Sequence, residues 1–439
     1  MTKRKSANLD APIWFDGTNI NEALFCDEFL NSRKIIFANG AFFTPDGRVT
    51  DDLPLRGEIY EELKCCAVNN IPRKITNILE VMKLAAHVED FAPEADRIHL
   101  ANGTLKLDGS FTEGRPDIVR SRLPVAYHPD APVPTLWLSF LDGLLYAEDI
   151  PTLQEFIGYC LIPSNKGQRM MVIKGNGGEG KSRIGVVMQK MLGNNLKNGS
   201  IAKVERNPFA RADLEHQLVM VDDDMKLEAL QSTHYLKSLI TAEMPMDLER
   251  KGEQSYQGKM YVRFLAFSNG DLESLYDNSD GFYRRQLILS VKKKPLDRED
   301  DPFLADKLCD ESEGIFLWCL EGLRRLQSNN FRFTESSQTK ANREDARREA
   351  DNVLLFLRSE GYIRLKADSA IPSAALYGIY CLWCSDNAYK PLAARTVSTT
   401  LKKHADEFGL EHDNHIQNAL GKRVNGFWGI EALVASPVV

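Results

Sequence analysis

Gly175-Asn176-Gly177-Gly178-Glu179-Gly180-Lys181-Ser182 decides the reading of this chain. The octet fits G-x-x-x-x-G-K-[ST], the phosphate-binding loop. An apolar run, Met170-Met171-Val172-Ile173, precedes it, and Ile184, Val187, Met188, Met191 and Leu192 follow at helical spacing up to Gly193. That pattern predicts strand, loop and helix. In that setting Gly175, Gly177, Gly178 and Gly180 let backbone N–H groups, with those of Asn176 and Glu179, close around phosphate oxygens at a helix N-terminus. Lys181 would reach the β and γ phosphates of ATP, and Ser182 would ligate Mg²⁺.

The next apolar run, Leu218-Val219-Met220-Val221, ends in Asp222-Asp223-Asp224. A run of acids is most often a solvated turn. Behind a phosphate loop and at the tip of a buried strand it reads instead as the acidic pair of a nucleotide hydrolase, one carboxylate for the metal and one for the attacking water. Asp222 is favoured for the metal and Asp223 for the water, with Asp224 a rival for either. A third strand, Val262 to Phe267, runs into Ser268-Asn269-Gly270. An amide such as Asn269 at that tip is placed to meet a γ-phosphate or the water. Between these strands Met246 to Gln254 reads as a hairpin with Arg250, Lys251 and Gly252 near its tip. After them, Arg284-Arg285 leads into the apolar strand Gln286-Leu287-Ile288-Leu289.

This order, packed between residues 175 and 285, resembles the superfamily 3 helicases, AAA+ ring motors of viruses, phages and plasmids. Within them it is similar to the poxvirus-type and phage/plasmid-type primase-helicases. Further stretches carry the resemblance: Ile98 to Leu107, Leu153 to Leu161 with Pro163, Asn207-Pro208-Phe209-Ala210, and Trp318 to Leu323. The resemblance implies an α/β fold with an AAA+ P-loop core, ATP and Mg²⁺ as cofactors, and a homo-oligomeric ring, a hexamer, acting on single-stranded or forked DNA. It places the sensor amide on Asn269 and the arginine finger on Arg285 ahead of Arg284, although Gln286 intervenes before the strand. It makes Lys251, with Arg250 beside it, the hairpin cation that would track the DNA backbone, a contact that is salt-sensitive and blind to sequence. Family members with priming activity carry metal-binding acids near the N-terminus. None is read before residue 135, so the expectation is a helicase part without priming chemistry, with a separate primase or origin DNA as a further partner.

Four segments follow: an N-terminal α+β support domain over 1–135, the ATPase over 136–328, a charged connector over 329–351, and a C-terminal domain over 352–439. In the first, Asn39-Gly40 and Asp46-Gly47 bracket a short strand, and Ile98 to Leu107 reads as a hairpin on Asn102-Gly103. In the last, Ala374 to Asn387 is helical. Arg395 to Lys403 buries Val397 and Leu401 and leaves Arg395, Lys402 and Lys403 on the other side. Lys422-Arg423-Val424-Asn425-Gly426 reads as a hairpin on Asn-Gly with a basic arm. Helices before a basic hairpin suggest a winged-helix-like DNA-binding domain with 395–403 as recognition helix. A small α+β packing module is the plainer alternative.

Across its 439 residues the chain carries a net charge of −7, which excludes a uniformly basic nucleic-acid coat and confines any DNA contact to local patches. Its 8 Cys include a single C-x-x-C, Cys381 and Cys384, in an aromatic helical stretch, where buried thiols are the simpler reading than zinc. The basic start, Met1 to Lys5, has no apolar segment after it, and no apolar run suffices to span a bilayer. The expectation is a reduced, cytoplasmic protein with no membrane partner. Two functions remain: an ATP-dependent DNA helicase for replication of a phage, plasmid or other mobile element, or an ATP-regulated DNA-binding initiator without processive unwinding. A remodeller of other substrates is disfavoured by the basic hairpin and the terminal domain.

Overall fold

The computed structural model describes residues 12–66, 69–89, 91–115, 117–225, 232–252, 254–269, 280–295, 299–349, 352–387, 389, 391–417 and 420–436. The basic start Met1 to Lys5 and Gly270 lie outside them. The chain divides into two units, residues 1–272 with 284–342, and residues 273–283 with 343–439.

The first unit is built on a five-stranded parallel sheet: β1 (Met170–Lys174), β2 (Leu196–Asn198), β3 (Val219–Met225), β4 (Arg263–Ser268) and β5 (Gln286–Ser290), in the order β5-β1-β4-β3-β2. Parallel strands buried on both faces need continuous apolar sequence, and β1, β4 and β5 supply it almost without interruption. Helix α1 (Ile150–Tyr159) precedes β1, and α2 (Ser182–Leu192) follows the loop. The predicted side of α2, Ile184, Val187, Met188, Met191 and Leu192, is fully buried, and Gly193 closes the helix at φ +55°. A short helix α3 (Ile201–Arg206) leads toward β3, and α4 (Ser312–Ser328) packs on α1.

The contact of α1 with α4 is unusually close. A Cβ on Gly158 would lie 2.3 Å from the Cys319 carbonyl oxygen, and one on Gly322 would lie 2.3 Å from that of Gln154. Both helices therefore cross through glycine, backbone on backbone, and Arg325 ties them by donating to Glu155, 2.6 Å, and Gln154, 2.9 Å.

Ahead of this core, Asn39 and Gly40, at φ +48° and +74°, make the two-residue turn that joins strands Ile36–Ala38 and Ala41–Thr44. The hairpin at 97–106 turns on Ala101-Asn102, with Gly103 already in the second strand. The segment expected as a connector carries a helix, Ser337–Glu349. Among the described residues no helix is long and apolar enough to cross a membrane.

In the second unit the order is helix α5 (Asn352–Arg358), strand β6 (Ile363–Pro372), helices α6 (Ser373–Asp386) and α7 (Ala394–Lys403), a short helix Ala405–Phe408, then strands β7 (Glu411–Gln417) and β8 (Arg423–Ala432), with sheet order β6-β8-β7. Phe356, Tyr380, Trp383, Val397, Leu401 and Phe427 share its core. One expectation is corrected here. Asn425-Gly426 is not a turn but lies inside β8. A Cβ on Gly426 would sit 2.3 Å from the Ile371 carbonyl oxygen, so the glycine serves close approach of β6, and β8 pairs with β7 from Arg423, opposite Gln417, ahead of Asn425-Gly426.

Gly→Ala inside a helix ordinarily stabilises by up to about 1 kcal/mol. At Gly322 the sign inverts: Gly322→Ala forces α1 and α4 apart and should destabilise the protein by about 1–3 kcal/mol. Denaturant unfolding of Gly322→Ala beside the wild type checks it.

Candidate nucleotide site and basic hairpin

Parallel register brings the sequence motifs together. β4 lies between β1 and β3, with Leu265 opposite Met171 on one side and Val221 on the other. The loop after β1, the acids of β3 and Asn269 after β4 therefore emerge at one edge of the sheet. They line a cleft of about 850 Å³ that includes Gly177, Gly178, Glu179, Gly180, Lys181, Ser182, Asp223, Asp224, Ser268 and Asn269. The loop is anchored to the sensor strand, with Gly175 N–H donating to Ser268 O at 3.0 Å. The rest of the lining includes an apolar wall, Leu136, Phe140, Leu144, Pro302 and Leu304, together with the acids Glu299, Asp300 and Asp301. Sequence reading missed this wall, because its residues come from two segments far apart in the chain and carry no motif.

The three acids separate. β3 does not stop at Val221 but continues through Met225, and its ladder with β4 slips: Ala266 faces Asp222, yet Ser268 faces Met225. The additional residue is a β-bulge, which breaks in–out alternation. Asp223 and Asp224 are both exposed to the cleft, whereas Asp222 is 5% exposed and turned to accept from Ile201 N–H at 2.8 Å, at the start of α3. Burial raises the Asp222 carboxyl; the Ile201 bond opposes that, and the charges of Asp224 and Asp223 add to it. The structure thus places Asp222, expected at the metal, away from the cleft lining, and brings Asp223 and Asp224 to it.

Lys181 and Glu179 form a buried pair at 2.9 Å, and Lys181 Nζ also donates to Asn269 Oδ1 at 3.4 Å. Gly177 N–H donates to Glu179 Oε2 at 3.0 Å, and Asn176 N–H donates to Oε1. Burial alone would raise the Glu179 carboxyl, but the bonds from Lys181 and Asn176 outweigh it and hold it below the ordinary glutamate value. Gly175 is required beneath this pair: a Cβ there would meet Lys181 Nζ at 2.7 Å and Glu179 Cδ at 3.0 Å.

Arg284 is exposed and Arg285 partly buried; the Arg285 carbonyl accepts from Met170 N–H at 2.8 Å, where β5 joins β1. Neither lines the cleft.

The basic hairpin has strands Met246–Leu248 and Tyr256–Gly258. Lys251 is exposed at its tip. Arg250 is engaged: Nη2 pairs with Glu215 at 2.7 Å, and Nη1 donates to Gly40 O at 3.4 Å. Tyr256 Oη also donates to Glu215. The N-terminal Asn39-Gly40 turn is thereby tied to the hairpin base. Beside it, Arg120 donates to His216 Nδ1 at 2.8 Å, which leaves Nε2 to carry the proton toward Asn39 O at 3.4 Å. Burial first, then the charges of Arg120 and Arg48, push His216 down to about 3.

In the second unit Arg395, Lys402 and Lys403 are exposed on α7, and Lys422 and Arg423 are exposed at the start of β8. Cys381 and Cys384 are free thiols on α6, and among the described residues no group of three or more His, Cys, Asp or Glu is placed to hold a metal ion.

The strand order, glycine loop and acid-bearing strand define a P-loop α/β core. Residues 173–285 match the model of a family of unknown function (DUF5906), and residues 348–424 match the model described as Poxvirus D5 protein-like. No curated protein matches the chain. Among solved structures it is similar to the A form apo structure of the NrS-1 C terminal region, at 14% identity and TM-score 0.53, over 92% of this chain and 98% of that one. The apo structure of NrS-1 C terminal region (305-718) aligns at the same identity and score, over 94% of this chain and 100% of that one. At this identity the likeness speaks for the fold. With the poxvirus-type match, it bears out the superfamily 3 resemblance carried by the motifs.

Asp222 and His216 give two tests. Asp222→Ala strands the Ile201 N–H and should cost about 1–2 kcal/mol of stability. Asp222→Asn keeps an acceptor oxygen there and removes a buried charge, so it should match or exceed the wild type in urea unfolding. For His216, the unfolded chain takes up a proton near the ordinary histidine value of 6.5 while the folded one does not until about 3. The unfolded state then binds more protons below that value, so stability falls as pH drops, by up to about 1.4 kcal/mol per pH unit. His216→Gln should flatten the part of the urea-midpoint decline that this residue contributes.

Proposed function

We propose that the chain is an ATP-dependent, ring-forming DNA helicase serving replication of a phage, plasmid or other mobile element. One observation carries the reading: Lys181, Ser182, Asp223, Asp224 and Asn269 line a single cleft. ATP enters with its base against the apolar wall of Phe140 and Leu304 and its phosphates along the loop. Backbone N–H groups of 176–182 and the start of α2 take phosphate oxygens. Lys181 spans the β and γ phosphates. Asn269, already within reach of Lys181, orients the attacking water. Of Asp223 and Asp224, one accepts that water's proton. The other, with the Ser182 hydroxyl, makes an oxygen-only donor set that suits Mg²⁺. Mg²⁺ bound there would neutralise charge on the transferring phosphoryl group. In this reading the metal role moves from Asp222, which supports α3, to its neighbours.

Arg285, with Arg284 beside it, would act on the γ-phosphate of an adjacent copy, since neither lines its own cleft. Lys251 would track phosphates of one DNA strand, with Arg250 holding the hairpin base. The order of elements in the second unit, helix, strand, three helices (the last the short Ala405–Phe408) and a two-stranded wing with sheet order β6-β8-β7, supports a winged helix. Its α7 would present Arg395, Lys402 and Lys403 to DNA, and its wing Lys422 and Arg423. That same domain favours one second reading, an ATP-regulated initiator that binds an origin without processive unwinding.

Fork unwinding and DNA-stimulated ATP hydrolysis measured together separate the two. Lys181→Ala should abolish hydrolysis, by at least about a hundredfold. Lys251→Ala should keep basal hydrolysis and lose strand separation. Hydrolysis unaffected by Lys181→Ala overturns the site, and stimulated hydrolysis without unwinding in the wild type selects the initiator.

A further inference from the structure

Glu179 occupies a loop position that the motif leaves free, yet it is 3% exposed and turned into the loop rather than to solvent. Its two carboxylate oxygens take the N–H groups of Asn176 and Gly177 and the ammonium of Lys181. These are the donors that a phosphate-binding loop offers to the β and γ phosphates. A carboxylate and a phosphate edge present the same chemistry to such donors: oxygen acceptors carrying negative charge. The fit is close, since the carboxyl carbon lies over Gly175 at a distance only glycine permits. Buried donors without an acceptor are costly, and the loop meets that need from within its own sequence.

We propose that Glu179 is an internal phosphate mimic that seals the nucleotide-free loop and sets its ligand specificity. The inference rests on the ATPase reading of the cleft and deepens it. A polyphosphate cannot enter beside the carboxylate, because like charges would share one set of donors. It must displace Glu179 toward the open cleft and take over all three donors at once. A ligand with a second and third phosphate recovers those bonds, gains further loop amides, and repays the displacement. A single phosphate attached to adenosine, which ends short of the Lys181 ammonium, leaves Glu179 in place. The seal therefore acts as a positioning device: it holds Lys181 toward Asn269 before ligand arrives, and it discriminates by phosphate number.

The test compares wild type with Glu179→Gln, which keeps an acceptor oxygen but no charge, and Glu179→Ala, which removes the mimic. Binding of ADP, pyrophosphate and AMP is followed by calorimetry on the full chain, with thermal melting of the ligand-free protein alongside. The expected result is tightening of ADP and pyrophosphate by a common factor of at least about tenfold, no change for AMP, and a lower melting temperature without ligand. Equal or weaker ADP and pyrophosphate binding in Glu179→Gln overturns the mimic while leaving the ATPase reading intact. Tightening of AMP to the same degree also overturns it, since the effect would then be general electrostatics. Absence of ADP and pyrophosphate binding in wild type and both variants would instead remove the ATPase reading on which the inference stands. Should Glu179→Ala fail to fold, Glu179→Gln decides by itself.

Discussion

The placement of β4 between β1 and β3 is the constraint on which the rest depends. Parallel pairing with both neighbours fixes three strand tips at one edge, and each tip carries a different chemical group. None of the three segments makes a site alone. The glycine loop has donors but no base, the acids have no phosphate to act near, and Asn269 is a turn residue until its strand lies beside the others. The core that holds this register is apolar and nearly without exposed atoms: Val172, Ile173, Leu265, Phe267, Leu287 and Leu289 are at most 1% exposed. A one-residue slip in a parallel ladder would carry every tip to the wrong depth.

Among the described residues of the five-stranded sheet, the one departure from regular pairing falls where the chemistry needs it. Between Ala266 and Ser268 the ladder slips past Asp223 and Asp224, and only this bulge lets two consecutive acids reach solvent on one side of a buried strand. Asp222, before the slip, keeps ordinary alternation and is drawn into the interior to serve α3. Support and chemistry thus divide within three adjacent residues of one type.

Much of this was legible. The loop, the α2 burial pattern, the strand tips and the basic hairpin are each local, and local periodicity with glycine placement is what a sequence displays. What escaped depends on partners distant in the chain. Three successive aspartates carry no sign of which will face a cleft, because the bulge that sorts them is a property of the pairing with β4. Arg250 and Lys251 look alike as hairpin cations, but Glu215 and the Gly40 carbonyl claim only the first. Asn425-Gly426 has the composition of a turn, and its glycine answers instead to the backbone of β6. The apolar wall of the cleft has no signature at all.

The seam at Glu215 also ties the hairpin to the N-terminal strands. Glu215 is 3% exposed and receives Arg250 and Tyr256 from the hairpin, while Arg48 donates to its carbonyl at 3.3 Å from the N-terminal strands. A buried carboxylate so surrounded cannot lose one partner cheaply. The hairpin base and the N-terminal turn are therefore held as one piece, leaving the exposed tip with Lys251 as the part free to meet a ligand. Net negative charge over the whole chain is compatible with DNA under this arrangement, because a cation held at the tip of a rigid arm acts locally, within a screening length of about 10 Å, whatever the sign of the distant surface.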